Sequence, residues 1–174
     1  MSRREKYFFV EGFYDERFFK AITESIFGNL LVKIIQYSMK RDEKVDNYIL
    51  SLGAQHISFL FIADEDPDHF NSRASRINEL TRRYPHLSKE NIVLVVPEIE
   101  GWYIAGLTRE KARSLGIKNI LDPDKCSKEK FVSILPKKTD GILIRSEILE
   151  NYDVVLAMSN SASFKEFVNK VKQI

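Results

Sequence analysis

Six carboxylates fall in three close pairs: Glu11 with Asp15, Asp64 with Asp66, and Glu98 with Glu100. Each pair follows a short apolar run. Side chains two apart on extended chain point the same way. Two carboxylates facing one way repel each other unless a cation sits between them. Mg²⁺ or Mn²⁺ suits such a place, because hard cations take oxygen ligands and keep waters beside one or two carboxylates. An EF-hand is excluded, since Asp64-Glu65-Asp66-Pro67-Asp68 lacks its glycine and terminal glutamate. A divalent cation at an acidic cluster serves phosphoryl chemistry by polarising phosphate and lowering the pKa of attacking water. Plainer readings stand beside this one. Glu11 can be merely solvated, Asp64 can cap the next helix, and acidic residues favour a helix N-terminus behind Pro97.

The elements that must position these groups are legible as periodic patterns. Tyr7-Phe8-Phe9-Val10 suits a strand buried on both faces, with Gly12 turning the chain into a helix. Gly28-Asn29 reads as that helix's end. Strands are expected near residues 6–11, 31–37, 57–63 and 92–97. Helices are expected over Asp42 to Leu52, stopped by Gly53, and over about Phe70 to Tyr84, ended by Pro85. Strand–helix alternation implies an α/β fold, with a mainly parallel four-stranded sheet flanked by helices. All three acidic pairs then lie at strand carboxyl ends, on the edge where open α/β sheets bind ligands. Six converging carboxylates cost several kcal/mol of repulsion unless metal neutralises them.

From Trp102 onward the pattern is helical. Thr108 reads as the cap of a helix ended by Gly116, and Ser127 as the cap of one stopped by Pro136. Asp122-Pro123-Asp124 reads as a turn, and Ile142 to Leu149 as a helix or a strand. Ser163-Phe164-Lys165-Glu166 has the capping-box pattern and opens the last helix. The expected organisation is one domain over 1–174: a core of about 6–105 and a helical C-terminal cap of about 106–174.

Twenty-seven basic against twenty-five acidic residues give a net charge of +2. So nucleic-acid binding needs a local patch or metal-bridged phosphates. A single cysteine, Cys126, excludes a disulfide framework and a multi-cysteine zinc site. It reads as a structural thiol. No signal peptide or membrane-length run is read, so a cytoplasmic protein without membrane contact is expected. Arg73, Arg76, Arg82 and Arg83 form an arginine-rich helix. Arg73 and Arg76 are candidates for phosphate contact, against the alternative of a solvated face. His56, His69 and His86 are too scattered for a metal pattern, but His69 adjoins the acidic loop. Tyr14, Tyr103 and Trp102 read as packing residues.

Val10-Glu11-Gly12 after one apolar strand, and Asp64-Glu65-Asp66 after another, resemble the Toprim domain. That domain, with its Rossmann-like fold, is shared by topoisomerases, primases, small ribonucleases and the overcoming-lysogenisation-defect (OLD) nucleases. The Glu11–Asp15 spacing is similar to the acidic pair of the OLD branch. Pro97-Glu98-Ile99-Glu100-Gly101-Trp102 and Ser159-Asn160-Ser161-Ala162-Ser163-Phe164 resemble short stand-alone Toprim-like proteins. The resemblance implies metal ligation by Glu11, Asp64 and Asp66, with Asp15 for a second metal. Glu11 would also serve as general acid or base. It implies a late basic residue near the scissile phosphate, for which Lys137, Lys138 and Arg145 are the candidates. Glu98 and Glu100 match the short proteins' motif. Phe13-Tyr14 stands where many Toprim sequences have small or polar residues. The expected function is Mg²⁺- or Mn²⁺-dependent hydrolysis of a phosphodiester in DNA or RNA. The alternative is a non-catalytic Toprim-fold binding module acting with a partner ATPase or in a defence or repair complex. A primase-type transferase is a third reading, weakened by the lack of a template- or zinc-binding region.

Overall fold

The computed structural model describes residues 5–28, 30–150 and 152–174. Four strands, β1 (Glu5–Val10), β2 (Leu31–Gln36), β3 (Phe59–Asp64) and β4 (Ile92–Val95), form one parallel sheet in the order β2-β1-β3-β4. Helices α1 (Phe13–Phe27), α2 (Asp42–Ala54) and α3 (Arg73–Arg83) connect them. The remainder is helical: α4 (Ile99–Ala105), α5 (Arg109–Ser114), α6 (Lys128–Ile134), α7 (Gly141–Leu149), α8 (Val154–Asn160) and α9 (Ala162–Gln173). No described helix is long and apolar enough to cross a membrane.

Strand alternation divides the core between the sheet's two faces. Phe8, Val10, Leu60, Ile62, Val93 and Val95 point into one cluster, with Phe18 and Phe19 of α1, Trp102 of α4 and Phe164 and Phe167 of α9. Tyr7, Phe9, Phe61 and Leu94 point into the other, with Val45 and Ile49 of α2 and Leu80 of α3. Both faces are therefore covered over β1, β3 and β4, which explains why these strands read as apolar runs, while the edge strand β2 is mostly half-buried or exposed and carries Lys33. The edge at β4 is closed by α9, whose Lys170 Nζ donates to Ile92 O at 2.6 Å. This treatment protects an edge that would otherwise offer free backbone groups.

Several boundaries differ from the sequence expectation for identifiable reasons. β3 starts two residues later than expected and keeps Asp64 as its last strand residue, paired in register with Val95. β4 stops before Pro97, which has no N–H for the ladder. α3 is shorter at its start because the Ser72 hydroxyl accepts from Ser75 N at 3.1 Å and caps it there. α2 runs through Gly53 to Ala54. The cap of α9 is Ser161, which accepts from Phe164 N at 3.3 Å, and not Ser163. Ser163 is buried and spent elsewhere, accepting from Trp102 Nε1 at 2.8 Å. Gly28, at φ 58°, takes the left-handed turn that ends α1, while Asn29 lies outside the described residues. α4 and α8 had no separate helical signal in the sequence.

Candidate metal centre

The order β2-β1-β3-β4 makes β1 and β3 the two central strands. Their following connections leave toward opposite sides of the sheet. The gap between their carboxyl ends is thus the switch point, where open α/β sheets leave a crevice for ligands. Glu11 directly follows β1 and Asp64 ends β3, so the two carboxylates flank that crevice. Asp15 comes from the first turn of α1. Its Oδ2 accepts from Gly12 N at 3.2 Å and folds the side chain back toward the strand end.

Burial and like charge act on these groups together. Burial pushes the Asp15 carboxyl up to about 7, and the charge of Glu11 pushes the same way. Asp64 lies well above the ordinary carboxylate range: burial first, then repulsion from Asp15, Glu11, Glu100 and Glu98. Asp64 Oδ1 is buried with no hydrogen-bond partner among the described residues. A buried acceptor left unpaired costs about 1–3 kcal/mol, more if charged. Protonation or a cation would relieve both the repulsion and the missing partner.

The other carboxylates are already engaged. Glu100 is buried in α4, and its Oε1 accepts from Arg145 Nη2 at 2.8 Å. Glu98 caps the start of α6, accepting from Lys128 N at 2.5 Å. Its carboxyl is raised by burial, with Glu100 and Asp66 adding repulsion. Asp66 does not continue the extended chain. Its φ of 53° turns it out of the strand, so the period-two argument for the Asp64–Asp66 pair does not hold here. Its Oδ1 meets His69 Nδ1 at 2.7 Å. Among the described residues, no three Asp, Glu, His or Cys side chains stand ready to hold one ion. Glu11, Asp15 and Asp64 are hard oxygen donors, the type a divalent cation takes, and the nearby Arg76 and Arg145 are engaged with the Asp64 main-chain oxygen, Glu79 and Glu100.

The basic candidates divide sharply. Arg145 is buried, stacked 3.9 Å from the Tyr14 ring centroid and 4.6 Å from that of Phe131. It neutralises Glu100 and ties α7 to α4. Lys137 and Lys138 are exposed and make no ion pair among the described residues. Arg73 grips Glu166 through two bonds of 2.7 and 2.9 Å. Arg76 is buried, donates to Asp64 O at 3.0 Å and pairs with Glu79. Cys126 is buried, which pushes its thiol up to about 12 and makes it the inert structural thiol expected. Tyr103 and Trp102 are core residues as read.

Sequence reasoning passed over Tyr37, whose hydroxyl donates to Glu11 Oε2 at 3.3 Å. Parallel register places Val10 beside Gln36, so the residues following each strand are neighbours. That pairing was available once β1 and β2 were known to be adjacent. The Arg145–Glu100 pair had no local signal, because 45 positions separate its partners.

No family model, curated protein or solved structure matches this chain. What the architecture establishes is a parallel four-stranded α/β fold with a helical C-terminal region.

Proposed function

We propose that this protein is a Toprim-like, Mg²⁺- or Mn²⁺-dependent nuclease that hydrolyses a phosphodiester in DNA or RNA. The observation that carries the reading is Asp64. Its carboxylate ends a central strand at the switch point, keeps a buried oxygen without a partner, and is repelled by Glu11 and Asp15. Glu11, Asp15 and Asp64 would hold the cation, with Asp66 joining from the rim after leaving His69. The cation would polarise the phosphate, lower the pKa of the attacking water and stabilise the leaving oxygen. Glu11, which directly follows β1, would exchange a proton with that water. Lys137 or Lys138 would steady phosphate charge from the exposed turn before α7. Arg145 would act at one remove, pairing with Glu100 beside the carboxylates. Arg73 and Arg76 would reach nucleic acid only by giving up their present carboxylates.

A second reading is favoured by one observation: Glu98 and Glu100 are committed to structural bonds, and no complete three-donor set is formed. On that reading the scaffold is a binding module that works with a partner such as an ATPase. Labelled single- and double-stranded DNA and RNA, incubated with Mg²⁺, Mn²⁺ or EDTA, separate the two. Cleavage that needs the cation and is lost in Asp64→Asn supports the nuclease. Cation-independent binding with no cleavage of any substrate removes it in favour of the module.

A further inference from the structure

A cleft of about 790 Å³ opens between α5, the loop after it and α8, with its Pro123 wall packed against Gly101 of α4. Roughly 300–1,000 Å³ is the usual size of a small-ligand pocket. Arg109, Arg113 and Lys118 line it, and no carboxylate does. All three are exposed, and among the described residues none makes an ion pair or side-chain hydrogen bond. Arg109 and Arg113 stand four apart on α5, so they share a face. Three cations around one cleft repel each other just as the carboxylates do at the sheet edge. The stretch of chain that builds most of the cleft is itself net basic. Residues 108–138 hold nine basic and four acidic side chains, although the whole chain nets only +2. The remaining lining suits a flat organic group. Leu121, Pro123 and Leu156 give apolar walls. Asn160 is pinned by its Nδ2 donating to Ala105 O at 2.9 Å, which leaves its amide oxygen as an acceptor at the cleft wall.

We infer that this cleft binds a nucleoside phosphate. The phosphate would sit among Arg109, Arg113 and Lys118 through charge-assisted hydrogen bonds, and the base would lie against Leu121 and Pro123. Asn160 would accept from an exocyclic amine. The same chemistry is offered by a free nucleotide and by the 5′-phosphate end of a nucleic-acid strand. The inference does not depend on the cation site, so the two can fail separately.

The test is calorimetric titration of the full chain in EDTA at about 150 mM salt, where surface charge alone is largely screened. The probes are adenosine 5′-monophosphate, adenosine, and a deoxyadenosine trinucleotide with and without its 5′-phosphate. Saturable binding of the monophosphate, with adenosine at least tenfold weaker, is expected. Arg113→Ala/Lys118→Ala should weaken it by tenfold or more. Lys44→Ala/Arg82→Ala removes two exposed cations elsewhere and should leave it within twofold. Both variants change exposed side chains, and their thermal melts should match that of the parent. Tighter binding of the 5′-phosphorylated trinucleotide than of the monophosphate would identify a strand end. The reverse order would identify a free nucleotide. Either supports the cleft as a nucleoside phosphate site. The inference is overturned if no phosphorylated probe binds below about 5 mM, if adenosine binds as well as its monophosphate, or if both double variants weaken binding equally.

Discussion

The acidic edge and the arginine face of α3 look alike in the sequence, each a cluster of like charge beside a strand. In the structure they are opposites. Arg73, Arg76 and Arg83 each meet a carboxylate, from Glu166, Glu79 and Asp42. The carboxylates of Asp64 and Asp15 make no ion pair among the described residues, with Arg76 reaching only the Asp64 main-chain oxygen, and burial and mutual repulsion push both carboxyls upward. Paired charge on a surface helix contributes little and needs no further cause. Unpaired charge gathered in a crevice is destabilising unless something binds there. The contrast gives the arginines a structural role and leaves the carboxylates as the groups that the proposed cation would neutralise.

The largest effect that would sharpen this contrast is on catalysis. Asp64→Asn should lower cation-dependent cleavage on the order of 10³-fold, since a catalytic cation supplies several kcal/mol. Its melting temperature in EDTA should stay level or rise, because a repelled charge is removed. Unchanged cleavage in this variant would end the assignment of Asp64. Arg145→Met tests the exception, a buried cation at the acidic edge. Leaving Glu100 buried and unpaired should cost about 3–5 kcal/mol in denaturant unfolding. A loss below about 1 kcal/mol would mean that the pair does not hold α7 to α4.

The next effect is a pH slope. A folded Asp15 near 7 keeps a proton that the unfolded chain gives up near 4. The folded state therefore holds more protons in that window, and stability falls as pH rises from about 4 to about 7. The loss should be a few kcal/mol in EDTA, with Asp64 continuing it to higher pH. Saturating Mg²⁺ should flatten it, because the cation takes the proton's place. Stability that rises over this window in EDTA would show that the carboxylates are not in conflict. Arg83→Ala supplies the opposite arm. Its exposed pair with Asp42 should be worth at most about 1 kcal/mol, with no response to Mg²⁺.

Much of the frame was legible because burial on both faces writes itself as apolar runs, and helices between them write a 3.6 period. Tyr7 to Val10 and Leu60 to Ala63 are plain cases. The positions of Glu11 and Asp64 at strand ends followed directly. Three things were not legible. The backbone turn at Asp66 is decided by the loop, not by alternation. The engagement of Glu100 by Arg145 comes from a helix far along the chain. The commitment of Glu98 to α6 depends on how the C-terminal helices fold back. Each is a long-range or left-handed choice that leaves no mark in a local period. The same limit explains Ser163: its local capping box competes with the Trp102 indole, and the buried indole's need for an acceptor prevails.

The smallest effect concerns Asp66, the residue on the boundary between the two kinds of region. It is paired with His69 like the arginines, yet it lies beside Asp64 like the ligands. Asp66→Asn keeps an acceptor for His69 and tolerates positive φ, so stability in EDTA should change by no more than a few tenths of a kcal/mol. If Asp66 joins the cation, the Mg²⁺-induced rise in melting temperature should be smaller in the variant than in the parent, by mass action on a weaker site. His69 gives a second readout. Its pKa is raised by the hydrogen bond and charge of Asp66. A cation that draws Asp66 away should return the His69 titration toward about 6.5 in proton NMR. Equal Mg²⁺ shifts in parent and variant, with His69 unmoved by the ion, would place Asp66 with the arginines as a purely structural charge. The site would then consist of Glu11, Asp15 and Asp64 alone.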